Sequence, residues 1–85
     1  MTDEVAVEAE KIAGRLYPFF VVELRGKEPA LQAAVLAELT SLWLSGHVVL
    51  GNPEATRTLR SDLLSEHILC IHNLVALQEW KESKD

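Results

Sequence analysis

Residues 52–80 read NPEATRTLRSDLLSEHILCIHNLVALQEW and contain no glycine, and no proline after Pro53. Asparagine is a preferred helix N-cap, and proline fits the first helical position. The acid Glu54 follows in the first turn, where the helix dipole favours a negative charge. The sequence therefore predicts one long helix from Pro53 to about Trp80, which at 1.5 Å per residue is on the order of 40 Å long.

This long helix has a broad apolar face when its residues are placed at 100° intervals. One side of the face carries Leu59, Leu63, Cys70, Leu74 and Leu77, and the other side carries Leu64, Ile68, Ile71 and Val75. A polar line of Arg60, His67 and Gln78 runs between the two sides. One interpretation is that Arg60 and Gln78 reach water while His67 hydrogen-bonds a backbone carbonyl or a carboxylate such as Glu38. The other is that the line fixes the register of a subunit interface.

A second helix is predicted upstream, from Glu28-Pro29 to Gly46. Its main apolar stripe consists of Leu31, Val35, Leu39 and Leu42, with Trp43 beside it. Between Glu28 and Glu54 the only formally charged residue is Glu38. A helix that is apolar nearly all round is normally buried on more than one side, so we expect this helix to need more cover than a short chain supplies.

The first helix is predicted from a run of apolar residues at steps of four and three: Val5, Ala9, Ile12, Leu16 and Phe19. Thr2 or Asp3 is expected to cap its start. Pro18 lacks a backbone donor and places its ring against the carbonyl of Gly14, so a kink or a break is expected there. The residues after Pro18 favour a further helical segment that Gly26 ends, although their aromatic and β-branched content also suits a short strand.

The predicted fold class is therefore all-α: a small three-to-four-helix bundle with a kink or break at Pro18 and a long C-terminal helix. We expect a single domain over residues 1–85, with 81–85 as a frayed tail. The alternative is an α+β fold with short strands near 20–24 and 48–50.

Composition restricts the class of partner. The chain has 85 residues, 48% of them hydrophobic, and 8 basic against 13 acidic side chains give a net charge of −5. This balance argues against a nucleic-acid partner or an anionic membrane surface, both of which need a basic face. The acidic start and the lack of a long apolar run predict neither a secretory signal nor a membrane span. We therefore expect a cytoplasmic protein, in which the single cysteine stays reduced.

Side chains that could carry chemistry are few. His67, Cys70 and His47 are candidate ligands for zinc or a small molecule, but the sequence lacks the paired spacing of a metal site. Arg57 and Arg60 near the start of the long helix are weak candidates for an anion site. No set of residues has the pattern of a catalytic site, so we expect no enzyme activity and no cofactor.

Self-association is the function that the sequence predicts best. A chain of this size buries only about 60% of its unfolded surface, and one cysteine rules out an internal disulfide. The excess apolar helix surface therefore predicts a homodimer that acts as a protein-interaction module, in which another protein is a further candidate partner. The interface candidates are Leu39, Trp43, Leu63, His67, Leu74 and Trp80.

Overall fold

A computed structural model describes residues 2–84 and contains three helices in this range: α1 (Asp3–Leu24), α2 (Pro29–Ser45) and α3 (Pro53–Ser83). No strand is present among these residues, which confirms the all-α class. The alternative prediction of an α+β fold with two short strands is wrong, because residues 20–24 belong to α1 and residues 48–50 lie in the connector before α3. The chain divides into two compact units, Met1–Leu36 and Ala37–Asp85.

In the first unit, α1 is one continuous helix. The Thr2 side chain caps it by accepting a hydrogen bond from the Val5 amide, as predicted. Pro18 lies inside the helix, which continues without interruption to Leu24, so the predicted break is wrong and the described helices number three. The predicted kink at Pro18 stays a prediction. Helical hydrogen bonds on both sides of a proline can hold such a helix together at the cost of one missing bond.

The turn from α1 to α2 contains the best-covered side chain of this unit. Leu24 is buried, with 6% of its surface exposed, and its carbonyl accepts a 2.9 Å hydrogen bond from Gln32 Nε2. Gly26 has a φ of 77°, a left-handed conformation that ends α1 without strain only at glycine. The apolar residues of α1 farther from the turn, such as Ile12 and Leu16, remain exposed.

In the second unit, the C-terminal end of α2 is closed by a complete set of hydrogen bonds to its last four carbonyls. Ser45 Oγ donates to Leu42 O, and the backbone amide of Gly46 and Nδ1 of His47 donate to Trp43 O. The His47 amide donates to Leu44 O, and Arg60 of α3 donates to Ser45 O. Gly46 was predicted to end this helix, and the helix does stop at Ser45.

The long helix begins as the sequence predicts. Asn52 Oδ1 accepts a 3.0 Å hydrogen bond from the Ala55 amide, and Pro53 is the first helical residue. The helix continues to Ser83, three residues beyond the predicted end at Trp80. Part of the segment predicted as a frayed tail is therefore helical, and Asp85 lies outside the described residues.

The apolar stripe predicted for α2 is not the side that is covered in the second unit. Leu39 and Leu42 are 54% and 65% exposed, whereas Thr40 and Leu44 are half-buried. The exposed stripe includes the interface candidate Leu39, and on the opposite side of α2 the small residues Ala37 and Ser41 are exposed as well. None of the described helices is long and apolar enough to cross a membrane.

Candidate interaction site

An open groove runs between α2 and α3 in the second unit and has a volume of about 530 Å3. From α2 it is lined by Ala37, Thr40, Ser41, Leu44 and Ser45, and from α3 by Arg60, Leu64, His67, Ile68 and Ile71. The α2 side is formed by small residues, and the α3 side is formed mainly by branched apolar residues. Such a groove has the shape that accepts the apolar side chains of another helix.

Much of the α3 side of this groove is exposed. Leu64, Ile68 and Ile71 are 38%, 47% and 46% exposed. On the other predicted side of the apolar face, Leu59, Leu63 and Cys70 are half-buried, whereas Leu74 and Leu77 are 51% and 43% exposed. The cover on that side of α3 therefore ends at Cys70.

His67 lies between the two sides of the apolar face of α3, and its ring contacts an aromatic side chain. Its ring centroid is 5.3 Å from that of Trp43, at an interplanar angle of 50°. The His47 ring contacts the same tryptophan, also at 5.3 Å and nearly perpendicular to it. His67 makes no hydrogen bond to any described residue, so the predicted bond to a carbonyl or to Glu38 is wrong. Trp43 is 43% exposed and is not a core residue.

The Arg60 guanidinium donates hydrogen bonds to two backbone carbonyls. Its Nε donates to His47 O and its Nη2 donates to Ser45 O, both at 3.0 Å. The last turn of α2 contains no basic residue, and carbonyls at a helix C-terminus attract positive charge. Arg60 thus supplies from α3 the cation that α2 lacks. Arg57 is exposed, and Arg57 and Arg60 both line an open pocket at the start of α3, so the weak anion-site prediction stays a prediction.

The Thr56 side chain holds the loop before α3 by two hydrogen bonds. Its Oγ1 accepts a 2.9 Å hydrogen bond from the Val49 amide and donates a 3.1 Å bond to Val49 O. Gly51 has a φ of 73°, which suits the turn that leads into the Asn52 cap. Thr56 and Arg60 therefore fix the connector at two points.

The predicted metal ligands are not brought together. No three His, Cys, Asp or Glu side chains within residues 2–84 lie close enough to hold a metal ion. His47 uses Nδ1 on Trp43 O, and Cys70 is a free, half-buried thiol.

The remaining interface candidates lie at different degrees of exposure. Leu63 is half-buried, whereas Leu74 is 51% exposed. Trp80 is 56% exposed, and Lys84 Nζ lies 4.6 Å from its ring centroid. On α3, every described residue beyond Cys70 is exposed. The apolar surface of α3 therefore continues past the groove toward the C-terminal end of the helix.

Sequence reasoning missed two structural contributors to this site, Thr56 and the backbone role of Arg60. The signal for Arg60 was the absence of a basic residue in the last turn of α2, because a short antiparallel connection brings the first turns of α3 to that end. Thr56 gave no such signal, since threonine early in a helix is common.

Comparison with known proteins adds no functional assignment. No protein-family model, no curated protein and no solved structure matches this chain.

Proposed function

We propose that this chain is a non-enzymatic cytoplasmic protein-interaction module that self-associates as a homodimer through the groove and the exposed side of α3. The observation that carries the proposal is the position of Leu64, Ile68, Ile71 and Val75. These branched apolar side chains form one stripe on α3, and each is between 38% and 49% exposed. Soluble proteins rarely leave a continuous apolar stripe of this kind without a partner.

The titratable groups of the groove favour binding over catalysis. Its ionisable lining residues are Arg60 and His67. Arg60 is engaged with two backbone carbonyls, and His67 contacts the Trp43 ring. A nucleophile with an adjacent base and an oriented third group, which acyl transfer requires, is not among the groove residues. The cytoplasmic setting is proposed because Cys70 is a free thiol, as is usual in a reducing compartment.

The test compares two neighbouring charge insertions on α3. Ile68→Glu places a carboxylate in the groove, whereas Leu69→Glu is a matched control at a residue that is 61% exposed and is not part of the groove lining. Light scattering coupled to size-exclusion chromatography measures the mass across micromolar dilution. We expect wild type and Leu69→Glu to have twice the 9.5 kDa chain mass. We expect Ile68→Glu to weaken the dimer by on the order of 3 kcal/mol, about a hundredfold in Kd, because an unpaired charge is buried.

Two results would contradict the proposal. A wild-type chain that is folded and monomeric at all concentrations would exclude the homodimer. Equal weakening by Ile68→Glu and Leu69→Glu would show that the groove is not the interface. Far-UV circular dichroism of both variants confirms that the helices are retained.

A further inference from the structure

The exposed stripe of α3 has the spacing of a two-helix seam. Its residues Leu64, Ile68, Ile71 and Val75 are separated by four, three and four positions. This alternation gives the 3.5-residue period at which apolar side chains of one helix insert between those of another. The first three line the groove, in which the small α2 residues Ala37 and Ser41 leave space for side chains of a second helix.

The same spacing extends to charged residues at both ends. Continuing the steps toward the N-terminus reaches Ser61 and then Arg57, and continuing toward the C-terminus reaches Gln78 and then Glu82. Arg57 and Glu82 are exposed, and neither has an ion pair with another residue in the described part of the chain. The seam therefore starts with a positive charge and ends with a negative charge.

The order of residues along the seam is symmetric about a point between Leu69 and Cys70. Each seam residue on one side of this point has a counterpart at the same distance on the other. The counterparts are Ile68 and Ile71, Leu64 and Val75, Ser61 and Gln78, and Arg57 and Glu82. In an antiparallel pair of α3 helices each residue lies opposite its counterpart, so apolar residues meet apolar residues and Arg57 meets Glu82. In a parallel pair of the same register, Arg57 meets Arg57 and Glu82 meets Glu82.

We propose that α3 pairs with α3 of a second copy in antiparallel orientation, about a two-fold axis at the level of Leu69 and Cys70. This inference rests on the homodimer proposed above and specifies its geometry. The charge complementarity of Arg57 and Glu82 selects the antiparallel orientation, because the parallel one juxtaposes like charges. The helix dipoles also favour the antiparallel orientation, because the positive end of each helix then lies beside the negative end of the other. The paired segment from Arg57 to Glu82 is about 38 Å long.

Disulfide trapping tests the orientation. Leu64→Cys and Val75→Cys are made separately in a Cys70→Ser background, with tags of different mass, and oxidised alone and as a mixture. In the proposed register Leu64 faces Val75 of the other copy, while two copies of Leu64 are about 16 Å apart along the axis. Because a disulfide needs Cα atoms within about 7 Å, cross-linking is expected only in the mixture.

The outcomes separate this inference from the homodimer itself. Cross-linking of Leu64→Cys with itself would overturn the antiparallel orientation and leave the homodimer intact. A dimeric mixture that gives no cross-link would overturn the register. A monomeric wild-type chain under the same conditions would overturn the homodimer and this inference together.

Charge reversal gives an independent measurement with the native thiol in place. Arg57→Glu alone and Glu82→Arg alone each create two like-charge contacts in an antiparallel dimer, and we expect each to weaken dimerisation about tenfold at low salt. The double variant Arg57→Glu/Glu82→Arg restores both contacts and is expected to return to wild-type affinity. Arg15→Glu on α1 is the control for the change in net charge. Single variants with wild-type affinity would contradict the pairing of Arg57 with Glu82.

Discussion

Arg60 joins two helices through carbonyls that have no other donor. The guanidinium donates to Ser45 O and His47 O, and both distances are 3.0 Å. A charged donor gives stronger hydrogen bonds than a neutral one, and its removal leaves the two acceptors in a partly covered position. One side chain of α3 therefore links its helix to the C-terminal end of α2.

We predict that Arg60→Ala lowers the free energy of unfolding by about 2 kcal/mol, because two charge-assisted hydrogen bonds are lost. For a domain of this size, that corresponds to a fall in Tm of roughly 8–16 °C. Circular dichroism during thermal unfolding measures the change. The matched control is Arg15→Ala, which removes the same charge from an exposed residue of α1 whose side chain makes no hydrogen bond within residues 2–84. Similar Tm values for the two variants would show that the Arg60 contacts contribute little.

Thr56 provides a second residue-scale prediction, for the connector. Thr56→Val keeps the side-chain shape but removes both hydrogen bonds to Val49. We expect the free energy of unfolding to fall by about 1 kcal/mol and the Val49 amide to exchange its hydrogen faster. Thr58→Val is the control, because Thr58 is exposed and its hydroxyl makes no hydrogen bond to a described residue. An unchanged hydrogen-exchange rate of the Val49 amide in Thr56→Val would show that the Thr56 hydrogen bonds do not stabilise the connector.

At the scale of the element, α1 tolerates a proline in its interior. Pro18 cannot donate to the carbonyl of Gly14, and nothing lies within 4 Å of a Cβ placed on Gly14. Replacing Pro18 by alanine restores the missing hydrogen bond and removes the ring from the helix interior.

We predict that Pro18→Ala stabilises α1 by up to about 3 kcal/mol, the difference between the two residues in a helix interior. The measurement is amide hydrogen exchange of the residues around position 18, which should slow. Pro29→Ala is the control, since Pro29 is the first residue of α2, where its missing donor has no intrahelical partner. Faster exchange in Pro18→Ala would mean that the proline stabilises α1.

The starts and ends of helices could be predicted because their signals are local. Thr2 and Asn52 cap their helices as expected, and Gly46 follows the end of α2. The sequence of residues 19–24 was compatible with a helix or a strand, because Phe, Val and Leu side chains pack well in both kinds of secondary structure. The ambiguity is resolved by continuity, because the six residues after Pro18 complete the helix before Gly26 adopts a positive φ.

The choice of packing face could not be predicted from spacing. Both sides of α2 are apolar, and periodicity alone identifies the side with the larger residues. In the part of α2 that belongs to the second unit, Thr40 and Leu44 are half-buried, while Leu39 and Leu42 are exposed. The choice depends on how closely two helices approach, which is set by small side chains on α2 and by the residues they meet on α3. The contacts of His67 were missed for the same reason.

At the scale of the whole molecule, most large apolar side chains have little cover. The only described residue in the buried class is Leu24, and exposed apolar residues occur on all three helices. Marginal stability is the general condition of proteins, and a chain with so little buried apolar surface has a small hydrophobic contribution to folding. The partner subunit proposed above is a direct way to supply the missing burial.

The thermal stability of the chain should therefore depend on its concentration. For a dimer that unfolds to two monomers, raising the protein concentration a hundredfold stabilises the folded form by about 2.7 kcal/mol. With the usual unfolding entropy per residue, Tm is expected to rise by roughly 5–10 °C between 1 and 100 μM wild-type chain. Ile68→Glu should show a lower Tm than the wild type at every concentration, because its dimer is weaker, and Leu69→Glu should follow the wild type. A wild-type Tm that is constant over this range would mean that each chain folds without its partner, and the exposed stripe of α3 would then need a different explanation.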